Sequence, residues 1–399
     1  MKDGAHMEYD YLKRARELAG ETVEMRRYLH ENAEVGNEVP KTDAYIEKKL
    51  TEFGVQYKEI GKGGIAALIG PSTGKCILIR ADIDALPMKE ESGMPFASKG
   101  NACHSCGHDI HTAAALTCAK MLKENEENLR GQVKILFQPD EERILGAIDM
   151  IENGVLEDPH VDVCISMHTN MLMHPGEFNC LPGGYLSSSD SFRITVKGRG
   201  AHGSEPEFSV DPILVGSEIV NNVQEISSRE VSGFKTFVLT FGVFKSGEAF
   251  NIIPATAQLE GTIRCFDRET RDFVKKRLTE IAKSTAAVYR AEAEVEFPAS
   301  TPVTYNDPQL TDDILRYLRE SFDPAIVHSM SLYQKPSDDF AYYGEHCPSV
   351  MYHVGMGNKE DGHEYPLHNP KVWFDESAFP NASAAFAIIC SRWLEEHSA

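Results

Sequence analysis

The chain has 399 residues, 42% hydrophobic and 25% charged, a globular balance with length enough for two cores. Its 40 basic and 61 acidic side chains leave a formal net charge of −21, which argues against a grip on nucleic acid or an anionic membrane. Nine cysteines without a dense framework read as mostly reduced thiols of a cytoplasmic protein.

No stretch reaches the roughly 20 apolar residues of a membrane span. No basic patch followed by an apolar run marks a leader, and Gly4-Ala5-His6-Met7 reads as a cloning remnant. Residues 9–30 carry Tyr11, Leu12, Leu18, Val23, Met25 and Leu29 among charges, which predicts an amphipathic helix. Ala44–Phe53 is a second helix, stopped by Gly54. Ile65–Ile69 and Cys76–Ile79 are short apolar runs of strand character. A small-residue helix follows from His108 to Lys123, and Val133–Phe137 and Val161–Met167 read as buried strands. Strands alternating with helices predict an α/β layer around a largely parallel sheet.

The middle of the chain changes character. Phe192–Val196, Thr236–Phe244, Ala257–Arg264 and Ala293–Phe297 alternate as strands, with helices at Asp211–Ser228 and Glu269–Arg290. That order, β-α-β-β-α-β, is the order of a ferredoxin-like unit. Beyond Pro302, the helix Asp312–Phe322, the strand Ser349–Val354 and the helix Asn381–Glu396 resume the α/β pattern. The expected organisation is a discontinuous α/β domain, residues 7–185 and 302–399, interrupted by an inserted ferredoxin-like α+β domain at 186–301.

Four segments concentrate residues that bind metals or move protons, each at a strand end or helix start, where α/β proteins gather ligands. Arg80-Ala81-Asp82-Ile83-Asp84-Ala85-Leu86-Pro87 follows a strand; alone it reads equally as a turn with aspartate caps. Cys103-His104-Ser105-Cys106-Gly107-His108-Asp109-Ile110-His111 packs five soft or borderline ligands into nine residues. No second paired cluster completes a structural zinc site. The density favours a metal over a thiol loop with satisfied histidines, and a nucleophilic Cys106 activated by His108 is a third reading. Asp140-Glu141-Glu142 follows a buried strand. Adjacent residues face different ways, so one glutamate can bind metal while the other acts as base, although an exposed acidic turn has the same sequence. His168 and His368 are isolated histidines that matter only if the fold brings them to the cluster.

Together these segments resemble the amidohydrolase branch of the M20 metallopeptidases, with hippurate hydrolases, aminoacylases, N-acetyl-diaminopimelate deacetylases and auxin-conjugate hydrolases. The resemblance runs from Arg26 to Glu376. It includes Arg26-Arg27-Tyr28-Leu29-His30, Arg80–Pro87, Cys106-Gly107-His108-Asp109 with His111-Thr112, and Phe137–Glu142. It continues through Gly198–His202, Asn251-Ile252-Ile253-Pro254, Gly261-Thr262-Ile263-Arg264, Ser337–Phe340 and His368. The resemblance implies two divalent metal ions, zinc or manganese with cobalt or nickel as alternatives, bridged by the Cys106 thiolate. It implies His108, Glu142, His168 and His368 as the other ligands, Glu141 as general base and Asp84 as a support of the metal site. His202 would stabilise the oxyanion from the inserted domain of a partner subunit in a homodimer, and Asn251 and Arg264 would hold the substrate. The implied activity is hydrolysis of a small N-acyl amino acid or related amide, with a dipeptidase or carboxypeptidase, or a non-catalytic binding module, as alternatives.

Some positions depart from the family pattern. Thr169-Asn170-Met171-Leu172-Met173-His174-Pro175 lacks the usual prolines and offers His174 as a rival ligand. Asp140 stands where a small residue is common and is expected to raise the pKa of Glu141 if buried. Glu207 replaces a frequent histidine, and the Cys103-His104-Ser105 lead-in is unusual.

Overall fold

The computed structural model describes residues 9–331 and 336–398; the cloning remnant at 4–7 lies outside them. The described chain divides into two compact units. One holds 9–183, 306–331 and 338–398, and the other holds Gly184–Tyr305 with Pro336 and Ser337.

The first unit is built on an eight-stranded sheet. Its strands, in spatial order, are Gln56–Ile60, Gly64–Ile69, Gln132–Gln138, Cys76–Asp82, Val163–Asn170, Ser349–Gly355, Phe178–Asn179 and Val327–His328. The four central strands run parallel, with Arg80 opposite both Leu136 and Ser166 and His353 opposite His168. Antiparallel pairings flank them on both sides, and the short edge pair Phe178–Asn179 and Val327–His328 is parallel again, so the sheet is mixed around a parallel centre. Every residue of Cys76–Asp82, Gln132–Gln138 and Ser349–Gly355 is buried, as in a parallel sheet covered on both faces. Polar side chains on these strands therefore need partners inside the protein.

Helix His108–Glu124 is buried almost all round, and packs through Ala113, Ala114, Leu116 and Ala119. The small side chains let Phe379–His397, with Ala384, Ala385 and Ala387, lie against it. The predicted first helix is two, Tyr11–Glu17 and Ala19–Glu31, parted at Leu18. Pro308–Ser321 starts earlier than its apolar pattern suggests, because Pro308 fits a first turn and Asp307 accepts the Leu310 N–H at 2.9 Å. No helix among the described residues is long and apolar enough to cross a membrane.

The second unit has the expected ferredoxin-like arrangement. Its sheet runs Phe237–Ser246, Thr256–Cys265, Ser189–Lys197, Glu292–Thr301, all antiparallel. Ser189–Lys197 alternates buried and half-buried residues, so Phe192, Ile194 and Val196 face a core. Pro212–Glu225 supplies Val215, Ile219 and Val223 to it, and Arg268–Val288 supplies Val274, Leu278 and Ala282. Asp211 and Asp267 cap these helices by accepting the N–H groups of Ile213 and Thr270. Strand Phe237–Ser246 forms one edge of the sheet.

Candidate metal centre

The parallel strands end together, and the chemistry-bearing segments follow from their ends. Val163–Asn170 runs past the predicted boundary, so His168 lies within the strand rather than after it. Gly107 turns the chain into helix His108–Glu124 with φ +93, and a Cβ there would sit 2.7 Å from Thr169 Oγ1, so only glycine fits. The Thr169 hydroxyl also donates to the Cys106 carbonyl at 2.8 Å. This turn sets Cys106 beside His168, with Sγ 3.5 Å from Nε2. On the other side His368 Nε2 lies 3.3 Å from the same sulfur and 3.5 Å from Glu142 Oε1. His368 is held at φ +64, and its N–H donates to the Ser105 carbonyl at 2.9 Å.

Two ligand triads result, Cys106–His108–His168 and Cys106–Glu142–His368, each with its donor atoms within 4.8 Å of one another. Cys106 belongs to both. The ring orientations free one nitrogen of each strand or helix histidine. His108 Nδ1 lies 2.8 Å from the Asp84 carbonyl, and His168 Nδ1 lies 2.8 Å from that of Thr169; a proton on each Nδ1 leaves Nε2 with a lone pair. His108 Nε2 and Glu142 Oε1 are buried and have no hydrogen-bond partner among the described residues, which is how metal-ligating atoms stand before the ion is counted.

Asp84 is fully buried and lies just beyond the strand that ends at Asp82. Its carboxylate accepts the N–H groups of Glu141 (3.1 Å) and Glu142 (3.3 Å), fixing the turn that presents both glutamates. Glu141 Oε2 comes within 3.9 Å of His108 Nε2 and groups with Asp338 and Asp339. Asp140 sits at φ +68, which aspartate tolerates better than most residues, and its side chain is ion-paired with Arg143. The acids that act most on Glu141 are Asp338, Asp339 and Glu142.

The surroundings are unusually acidic for a buried place. Asp82, Asp84, Glu141, Glu142, Asp338 and Asp339 share one buried guanidinium, Arg80, which pairs with Asp82 (2.5 Å), Asp339 (2.5 Å) and Asp338 (3.2 Å). Burial, reinforced by Asp338, pushes the Glu141 carboxyl well above the carboxylate range, and burial also raises Glu142. Burial pushes the Cys106 thiol well up, and burial with His111 nearby drives His168 well down. Burial opposes charge on His108, yet Asp82 and Cys106 beside it raise its pKa well above the usual value. Added positive charge would hold these carboxylates and the thiolate ionised together. A thiolate, imidazoles and carboxylates form a donor set that suits zinc-like ions, so the residues fit a two-metal site.

Of the five soft ligands read in the sequence, Cys106 and His108 join the triads. His111 stands behind them: its Nδ1 is 2.5 Å from Asp82, and its Nε2 accepts the Thr169 N–H at 3.0 Å. Cys103 and His104 join no ligand group among the described residues. His174 is exposed and pairs with Asp361 at 3.0 Å. Sequence reasoning read His111 only as one of the five soft ligands and gave no role of their own to Asp82, Asp338 or Asp339, although Arg80–Pro87 and Ser337–Phe340 were among the resembling segments.

His202, Asn251 and Arg264 belong to the second unit. His202 pairs with Ile252 in a two-residue ribbon, and the Gly203 N–H donates to the Asn251 carbonyl at 2.9 Å, so His202 and Asn251 are neighbours. Both are exposed. His202 Nδ1 is 2.7 Å from the Ser204 hydroxyl. Arg264 is partly buried, with one guanidinium nitrogen 3.3 Å from Ser337 Oγ.

Residues 78–392 match the family described as peptidase family M20/M25/M40. The chain is 35% identical to the N-acetyl-L-cysteine deacetylase of Bacillus subtilis, over 95% of this chain and 90% of that protein. It is 32% identical to thermostable carboxypeptidase 2 of Saccharolobus solfataricus, over 95% and 96%. A solved structure of a Bacillus subtilis dinuclear metal-binding peptidase superposes with a TM-score of 0.82 at 31% identity, covering 95% of this chain and 99% of that one.

Proposed function

The chain belongs to peptidase family M20/M25/M40, whose members include metal-dependent hydrolases of amide bonds, and from that premise we propose that it cleaves small N-acyl amino acids to a carboxylate and a free amine. The observation that carries the proposal is the pair of ligand triads sharing Cys106, the arrangement a bridging thiolate requires. Cys106, His108, Glu142, His168 and His368 would hold two divalent cations, with zinc best matched to the sulfur and imidazole donors and manganese, cobalt or nickel as working alternatives. Bound there, the cations would polarise the scissile carbonyl and lower the pKa of the attacking water.

The chain's own residues do the rest. Glu141, aimed beside His108, accepts the water proton and returns it to the leaving nitrogen. Asp84 keeps that carboxylate in place through its two backbone N–H bonds. His202 of the partner subunit donates to the developing oxyanion, and Asn251 and Arg264 hold the substrate, Arg264 by a two-pronged grip on its carboxylate. The catalytic domain then takes 7–185 and 302–399, and 186–301 is the dimerisation domain. The edge strand Phe237–Ser246 supports that reading, with Val238 and Phe244 exposed, as do the exposed Ile213 and Leu214 of helix Pro212–Glu225. A cytoplasmic location agrees with nine unpaired cysteines.

A second reading, carboxypeptidase or dipeptidase action, is favoured by the likeness to the thermostable carboxypeptidase. One experiment separates the two. Metal content is measured on the purified protein, and amine release is followed from N-acetyl, N-benzoyl and N-indoleacetyl amino acids and from unblocked dipeptides, with and without chelator. Two metals per chain and chelator-sensitive release from the blocked substrates are expected. Release from dipeptides alone would replace the first reading by the second, and no metal with no release would overturn both.

A further inference from the structure

Away from the ligand triads, two thiols meet at the start of neighbouring strands. Cys164 lies in Val163–Asn170, and Cys347 lies just before Ser349–Gly355. Their sulfurs are 3.2 Å apart. The backbones are already joined there: the Cys164 N–H donates to the Pro348 carbonyl at 3.0 Å, and Cys164 is the register partner of Ser349. A disulfide needs the sulfurs about 2.05 Å apart, so closing the gap takes roughly 1.2 Å of side-chain movement. Cys164 is fully buried, whereas Cys347 is partly exposed. We propose that Cys164 and Cys347 form a reversible dithiol–disulfide site, closed by a hydroperoxide and reopened by a dithiol reductant.

The exposure difference assigns the order of events. The Cys347 sulfur meets the peroxide and takes one oxygen, becoming a sulfenic acid as the O–O bond breaks and the other oxygen leaves as the alcohol, or as water when the oxidant is hydrogen peroxide. The Cys164 sulfur then attacks Cys347, the S–O bond breaks, and water departs with the Cys164 proton. Two thiols give up two electrons and the peroxide accepts both. The hydrogen bond from Cys164 favours ionisation of Cys347 first, holding its pKa below the usual thiol value, while burial pushes Cys164 well up.

The bond would join two elements that frame the metal centre. Cys347 closes the turn Asp339–Glu345 through its N–H to the Tyr343 carbonyl at 3.1 Å, and Tyr343 donates its hydroxyl to Gln138 at 2.9 Å. The strand on the other side carries His168. A link across 183 residues would also restrict the unfolded chain strongly.

The test treats the metal-loaded protein with limiting hydrogen peroxide, blocks remaining thiols, and maps peptides without reduction. A Cys164–Cys347 linked peptide that dithiothreitol abolishes is expected, together with a melting temperature a few degrees higher that returns on reduction. Cys347→Ser, at a partly exposed position, should fold, form no link and show no peroxide-induced rise. Recovery of Cys164 as a free thiol beside over-oxidised Cys347, or a link formed only after unfolding, would overturn the proposal.

Discussion

The metal-centre wall of the first unit and the His202 ribbon of the second are built in opposite ways. In the first, Asp84 and His108 are fully buried and Glu141 is 6% exposed; the Asp84 carboxylate and carbonyl hold the Glu141–Glu142 turn and His108 Nδ1, while His108 Nε2 and Glu142 Oε1 find no hydrogen-bond partner among the described residues. Position there is set by packing and by buried hydrogen bonds, and the price of disturbing them is structural as well as chemical. In the second, His202 on a two-residue ribbon and Asn251 beside it are exposed and are held by backbone pairing and, for His202, by Ser204. A buried site holds charge in readiness, whereas an exposed one can be supplied to, or shielded by, another surface. Substitutions in the two regions should therefore fail differently.

The sharpest contrast is expected from Glu141→Gln. It keeps the side-chain shape and the backbone bonds to Asp84, so metal content should stay near normal while kcat falls about 10²–10⁴-fold. Loss of metal instead would exchange the roles of Glu141 and Glu142. Cys106→Ser removes the one atom common to both triads, and metal retention should weaken by more than the roughly 100-fold typical of a supporting residue. Equilibrium dialysis would read this, and full retention would sink the bridging role. His202→Ala should leave metal content and melting temperature unchanged and lower kcat about 10²–10³-fold. If activity is unaffected, or if light scattering finds the active species to be a monomer, the partner-donated histidine is wrong.

The smallest effect tests how the second unit holds its own charge. Asp190 is fully buried and bound by Arg271 (2.8 Å) and Lys275 (2.9 Å). Burial opposes its ionisation, but Arg271, Ser300 and Lys275 together hold its pKa below the usual carboxylate value. A folded pKa below the unfolded one, about 3.9, gives stability that is present above that value and lost as the pH falls through the folded pKa. Asp190→Asn should cost about 1–3 kcal/mol at neutral pH and flatten the acid limb of the melting-temperature profile below about pH 4. An unchanged acid limb would assign that limb to other carboxylates.

Much of this architecture is legible along the chain because short-range rules govern it. Alternation marks Phe192–Val196 and Ala257–Arg264 as strands, and the order of elements suggests an interrupted domain, whereas the Asp307 cap that starts Pro308–Ser321 went unread. Cys106, His108 and the Glu141–Glu142 pair stand out because soft ligands and adjacent acids cluster within a few residues. Element boundaries were less legible. His168 fell outside its predicted strand because the polar end of Val163–Asn170 is kept in the sheet by pairing with Ser349–Gly355, almost two hundred residues away.

By itself, then, the sequence determined the kinds of ligand, their order, and the periodicities that make two packed layers. Only the tertiary structure decided which isolated residues belong together. His168 and His368 are ordinary histidines until two backbone turns set them on either side of one sulfur. Arg80 is one charge on a strand until the chain returns Asp338 and Asp339 to it. The reason is physical: a buried charge is tolerable only beside its counter-charge, and that pairing is made through space, between atoms that no local rule of the chain connects.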